Sequence, residues 1–159
     1  MRISRERMYM DIAHALAKRS TCYRSNVGAV IVSPDGWTIT GTGYNGAAAG
    51  EPHCLGNRCL INLEGGCSKA VHAEINAIKR VNDWQSGQWL FTTRSPCREC
   101  ASAIYNSSII DRVYFDEPYR DSSPIEWMLS GGIEIYRITP NGMIIDPFDN
   151  SIIDVYEDS

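Results

Sequence analysis

The sequence predicts an α/β protein in three layers, a mixed five-stranded sheet held between helices. Three observations predict it. Apolar residues recur at helical spacing in four separate stretches, and short β-branched runs lie between them. The order is helix, hairpin, helix, strand, helix, strand, helix, strand, so the second half alternates and implies parallel strands behind an antiparallel opening.

Residues 4–18 read as an amphipathic helix through Met8, Ile12, Ala15 and Leu16, with Ser4 as its N-cap. Residues 27–32 are an apolar strand, Pro34-Asp35-Gly36 is a tight turn, and residues 37–42 alternate as a second strand. Residues 43–69 are rich in Gly, Asn and Cys and have no period, which predicts a long loop of functional character. Helical spacing resumes over 71–81 through Ile75, Ile78 and Val81. Residues 88–93 are strand-like, 98–105 helical behind Pro96, and 112–115 a further strand. A short helix over 123–129 has Ser123 as cap and Pro124 in its first turn, and 133–138 is the last strand.

The length, 159 residues, suits one core. We read residues 1–146 as a single domain and 147–159 as an acidic tail, whose Ile152, Ile153 and Val155 are either frayed or docked on a neighbour. The charged N-terminal stretch leads into no apolar segment of a secretory signal, and no run approaches the roughly 18 apolar residues of a membrane span. A cytoplasmic protein with no membrane partner is expected, in which closely spaced Cys and His mean metal more often than disulfide. A net charge of −4 argues against wrapping a nucleic-acid backbone. Phosphate recognition, where it occurs, is therefore expected to be local, by one or two cations in a pocket.

His72-Ala73-Glu74 and Pro96-Cys97-Arg98-Glu99-Cys100 carry the chemistry. A Cys-x-x-Cys pair at a helix start brings both sulfurs to one point, where the helix dipole favours the thiolate. His72 completes three protein ligands and leaves the fourth tetrahedral position to water, the pattern of a catalytic zinc. Glu74, two positions on, stands beside that water without being a ligand and can move protons. A lone Cys-x-x-Cys also reads as a redox pair or half of a structural site; the His-x-Glu and the proline separate these readings. The remaining Cys22, Cys54, Cys59 and Cys67 suit a closed structural Zn²⁺ that would order the long loop. His53 is a rival ligand there, and four uncoordinated thiols are the other reading.

The H-x-E and P-C-x-x-C segments match the signature of zinc nucleobase deaminases. With Asn76-Ala77-Ile78, Cys100-Ala101, and Gly43-Tyr44-Asn45-Gly46 after Val27-Gly28-Ala29, the chain resembles the dCMP deaminase family over roughly residues 5–138. The resemblance implies a cytidine deaminase-like fold and hydrolysis of dCMP to dUMP and ammonia, with Glu74 as the proton carrier. It implies a second zinc in some members, with ligands from the segments of Cys22 and Cys54. It places Asn45 near the sugar of a nucleotide, although Asn-Gly is also a turn signal, and Tyr119 near a substrate-contacting tyrosine after a one-residue shift. Arg24 and Asn26, ahead of the first strand, face either the pocket or solvent. Arg94 stands where relatives often carry an apolar residue. Larger members are homo-oligomers, often hexamers, activated by dCTP and inhibited by dTTP with Mg²⁺ through the Gly43-Tyr44-Asn45-Gly46 region. The rival activities are deamination of free cytidine, of tRNA adenosine, or of a riboflavin-pathway pyrimidine. A non-catalytic zinc module is a rival of another class, against which Glu74 speaks.

Overall fold

A computed structural model describes residues 2–22, 24–54, 67 and 70–154. In chain order the elements are α1 (Arg5–Ala17), β1 (Gly28–Val32), β2 (Ile39–Tyr44), β3 (Gly46–Ala47), β4 (Ala70–Val71), α2 (Ala73–Lys79) and β5 (Gln88–Arg94). There follow α3 (Arg98–Ser107), β6 (Ile110–Glu117), α4 (Ser123–Ser130), β7 (Glu134–Ile138), β8 (Ile144–Ile145) and β9 (Ile152–Asp154).

The main sheet runs β2-β1-β5-β6-β7-β8-β9. β1 is antiparallel to both β2 and β5, whereas β5, β6 and β7 are mutually parallel. The five expected strands are therefore all present, with the expected mixture of directions. The sheet is wider than expected by two short antiparallel strands, β8 and β9, which extend it beyond β7. Without them β7 would present an unpaired row of backbone donors and acceptors. Within the nominal loop, Gly46 and Ala47 of β3 pair with Val71 and Ala70 of β4.

One helix start agrees with expectation and two differ for local reasons. Ser4 caps α1 by accepting from the Arg7 amide at 3.0 Å, as its sequence position predicts. The N-cap of α4 is Ser122, and Ser123 is already helical, with its amide donating to Asp121 Oδ1 at 3.0 Å. Val71 belongs to β4, so α2 starts at Ala73 with His72 as its N-cap.

Both faces of the central strands are buried, and alternate residues serve different cores. Val30, Val32, Phe91 and Tyr114 pack with Tyr9, Met10 and Ala13 of α1. Ala29, Ile31, Leu90, Val113 and Phe115 pack with Ala77, Ala101, Ile104 and Met128 from α2, α3 and α4. That is the three-layer arrangement. On the α1 side Phe91 and Tyr114 stack with centroids 4.7 Å apart. Two glycines set how closely helices approach the sheet. A Cβ at Gly28 would meet the Ala13 carbonyl oxygen at 1.9 Å, and one at Gly43 would meet the Ala73 carbonyl oxygen at 2.3 Å.

The register then brings one end of the sheet together. Ala29 pairs with Thr92 and Arg94 with Glu117, so the segment entering β1 and those leaving β5 and β6 lie side by side. Ligand sites of open α/β sheets form in such crevices at strand ends. No described helix is long and apolar enough to cross a membrane.

Candidate active site and metal centre

His72 and Cys97 are the N-caps of α2 and α3, both with extended backbone, and Cys100 lies in the first turn of α3. Two helix N-termini thus converge, each with unpaired N–H groups that favour negative charge. His72 Nδ1 stands 3.1 Å from Cys100 Sγ and 3.3 Å from Cys97 Sγ. The three donor atoms lie within 4.8 Å of one another, and this is the one such group among the described residues. One imidazole nitrogen and two sulfurs fit Zn²⁺ by number and by softness.

Glu74 follows in the first turn of α2 and is only 4% exposed. The Cys100 thiol donates to its Oε2 at 3.2 Å, and the Thr92 hydroxyl lies 3.1 Å from its Oε1. Burial pushes the Glu74 carboxyl above the usual carboxylate range. Cys97 moves the other way, to about 4, because the Cys100 thiol and then His72 hydrogen-bond to its sulfur. The bond to Cys97 raises His72 to about 9, against the opposing effect of burial. Contact with the Cys97 sulfur and burial hold Cys100 well above the ordinary thiol value. Within the cluster Cys97 is thus favoured as the thiolate and His72 as the protonated partner beside it.

These residues line a cleft of about 1190 Å³ that also takes in Arg24, Asn45, Arg94, Arg98, Tyr119 and Arg120. The sequence reading named Arg24, Asn45 and Tyr119 as substrate contacts, and all three line the cleft. Asn26 is exposed and lies outside its lining. Asn45 is 7% exposed and its side chain is engaged with the entering loop. Its Oδ1 accepts from Ser20 Oγ at 2.7 Å and from the Val27 amide at 2.8 Å, and its Nδ2 donates to the Ser25 carbonyl at 2.7 Å. Gly43, Tyr44 and Gly46 are not in the lining; Tyr44 gives its carbonyl to Asn76 Nδ2 at 3.0 Å. Arg94 donates to Ser25 Oγ at 2.9 Å and approaches Glu117 at 3.7 Å.

Of the four remaining cysteines, Cys22 is buried and in the lining, Cys54 is buried, and Cys67 is half-buried and in the lining. His53 is exposed. Cys59 lies outside the described residues. Arg98, Arg120 and Thr92 escaped the sequence reading. Arg98 was in view inside the Cys-x-x-Cys motif, where its helix-start position is the signal for an anion contact; the other two carried none.

Comparisons with known proteins agree with this geometry. The model of the cytidine and deoxycytidylate deaminase zinc-binding region matches residues 3–117. A deoxycytidylate deaminase of Mycobacterium phage D29 is 40% identical over 119 residues, covering 67% of this chain and 90% of that protein. ComE operon protein 2 of Bacillus subtilis is 35% identical over 149 residues, covering 91% of this chain and 77% of its own length. Among solved structures, dCMP deaminase of cyanophage S-TIM5, determined in complex with dCMP and dUMP, superimposes with a TM-score of 0.72. That pair is 27% identical, and the match covers 87% of this chain and 99% of the phage protein. Zinc is thus the metal for which the His72, Cys97 and Cys100 group is suited by both chemistry and kinship. The convergent helix ends, the buried carboxylate and the extent of these matches lead to one statement: the chain belongs to the cytidine and deoxycytidylate deaminase family.

Proposed function

We propose that the chain hydrolyses the 4-amino group of dCMP, giving dUMP and ammonia, with His72, Cys97 and Cys100 as zinc ligands and Glu74 as proton carrier. The observation that carries the reading is a buried carboxylate set against one imidazole and two thiols in the wall of a cleft that arginines also line. Bound zinc supplies the acidity that makes water a nucleophile near neutral pH. Glu74 takes a proton from the attacking water and delivers it to N3 as a bond forms to C4. It then takes the proton of the new C4 hydroxyl and passes it to the exocyclic nitrogen; the C4–N bond breaks, C4=O forms and ammonia leaves. Its raised affinity for a proton suits a group that must accept and return one within each cycle.

Recognition of a monophosphate is supported by Arg24, Arg94, Arg98 and Arg120 around a cleft in a chain of net charge −4. Asn45, Tyr119, Arg24 and the adjacent Asn26 are the proposed nucleotide contacts. The wider family supports three further elements of the proposal. The chain is a homo-oligomer, with a hexamer favoured. dCTP activates and dTTP inhibits through Gly43, Tyr44, Asn45 and Gly46 with Mg²⁺. A structural zinc lies among Cys22, Cys54, Cys59 and Cys67. A cytoplasmic location belongs to the same reading, supported by closely spaced Cys and His that suit a metal better than a disulfide.

Ammonia release from dCMP, deoxycytidine, dCTP and single-stranded DNA, with zinc measured on the same sample, tests the reading. The expected result is preference for dCMP and about two zinc ions per chain. Turnover of another substrate with dCMP untouched moves the activity to a relative of that specificity. About one zinc per chain removes the structural site. A hyperbolic dCMP curve indifferent to both triphosphates removes the regulation.

A further inference from the structure

β5 is buried on both sides, and a strand in that position is ordinarily apolar. Gln88, Thr92 and Thr93 break the pattern, and of these Thr92 is the one that reaches the Glu74 carboxyl. Thr92 has no exposed surface and lies two residues beyond Leu90, which serves the core beneath α2 and α3. A valine there would fill nearly the same space without burying a hydroxyl, so the hydroxyl needs a partner to offset its desolvation.

It has two. Thr92 Oγ1 lies 3.1 Å from Glu74 Oε1 and 3.1 Å from the carbonyl oxygen of Arg94. The other carboxyl oxygen, Oε2, faces Cys100 Sγ at 3.2 Å. The two ends of the Glu74 carboxyl therefore have different surroundings, one held by the strand and one turned to the His72, Cys97 and Cys100 group.

We propose that Thr92 is a positioning residue that fixes Oε1 of Glu74 and so presents Oε2 to the metal-binding group and the reacting atoms. The inference rests on the deaminase reading for its consequence in catalysis. The Arg94 carbonyl gives the hydroxyl a second acceptor. Thr92 can thus donate to the carboxyl or accept from it, and the anchor persists while a proton comes and goes. A carboxylate free to rotate would spend part of its time with neither oxygen in reach of the pyrimidine. That loss falls on the chemical step and not on nucleotide binding.

Thr92→Val and Thr92→Ser test it. Thr92→Val is expected to stay folded with its zinc, to hold KM for dCMP within about twofold with only a modest drop in melting temperature, and to lose about 10- to 100-fold in kcat. Thr92→Ser, which restores the hydroxyl, is expected to recover most of kcat. Wild-type kcat in Thr92→Val overturns the inference, as does an equal loss in both variants or a loss that follows zinc content. Crystal structures of the zinc-loaded proteins give a readout independent of turnover. The expected result is a Glu74 carboxyl rotated away from Cys100 in Thr92→Val alone, and an unmoved carboxyl overturns the inference. An inactive wild type sinks the deaminase reading; the place of the carboxyl in Thr92→Val still decides the anchoring.

Discussion

His72 Nδ1 stands 3.3 Å from Cys97 Sγ, a contact that lowers the thiol and raises the imidazole. The thiolate persists down to about pH 4 and the imidazolium up to about pH 9. Metal binding requires a neutral imidazole and two thiolates, so near neutral pH the His72 and Cys100 protons must both leave. Zinc titration of the metal-free protein in weak buffer with a pH indicator should release about two protons per ion at this site. Above the His72 value the imidazole is already neutral, and release should fall towards the single proton of Cys100. A count that stays constant across that range contradicts the charge assignment.

Glu74→Gln removes the proton carrier but keeps the shape of a side chain that is almost wholly buried. Zinc content and melting temperature should stay close to wild type, while turnover of dCMP falls by about 10²- to 10⁴-fold. Steady-state kinetics beside metal analysis checks this. Near-normal turnover removes Glu74 from its role.

Gly43→Ala tests the seat of α2 on the sheet. The new methyl would lie 2.3 Å from the Ala73 carbonyl oxygen and 2.5 Å from the Ala77 amide nitrogen, both backbone atoms that cannot turn aside. α2 must then shift, and it carries His72 and Glu74 with it. Unfolding by urea should show a loss of about 1–3 kcal/mol, with activity falling more than tenfold through misplacement. Full activity at wild-type stability would mean that the helix tolerates the methyl in place.

Asn45→Ala strips three hydrogen bonds from one buried side chain; the Ser20 hydroxyl keeps the backbone carbonyl of residue 45, while the Val27 amide and the Ser25 carbonyl lose their side-chain partner. An orphaned buried polar group costs about 1–3 kcal/mol, so a destabilisation near the upper end is expected in chemical denaturation. A change under about 0.5 kcal/mol would mean water replaces the amide in full.

The site was more legible in the sequence than its surroundings were. His72, Glu74, Cys97 and Cys100 announce themselves because metal ligands at helix starts need fixed short spacings, and the structure brings these four together. The hairpin, the parallel strands and all four helices follow from period and turn chemistry. β8 and β9 did not, since two or three residues are too few to establish an alternation. Arg120 joins the cleft through the packing of the segment after β6, which no local pattern encodes. Thr92 was hidden for a different reason. In a strand buried on both faces, where Thr92 and Thr93 stand side by side, neither hydroxyl shows from the sequence which layer it faces.

Ile152 and Ile153 are more than 45% exposed on a final strand that shields β8, whose own Ile144 and Ile145 are buried. Removing residues from position 152 onward would uncover a ladder flanked by a pair of isoleucines at the rim of a wide sheet. Such a shortened chain invites edge-to-edge aggregation even where the deaminase cleft, on the far side of β6, is untouched. On that argument β9, remote from every residue implicated in chemistry, protects the chain from self-association.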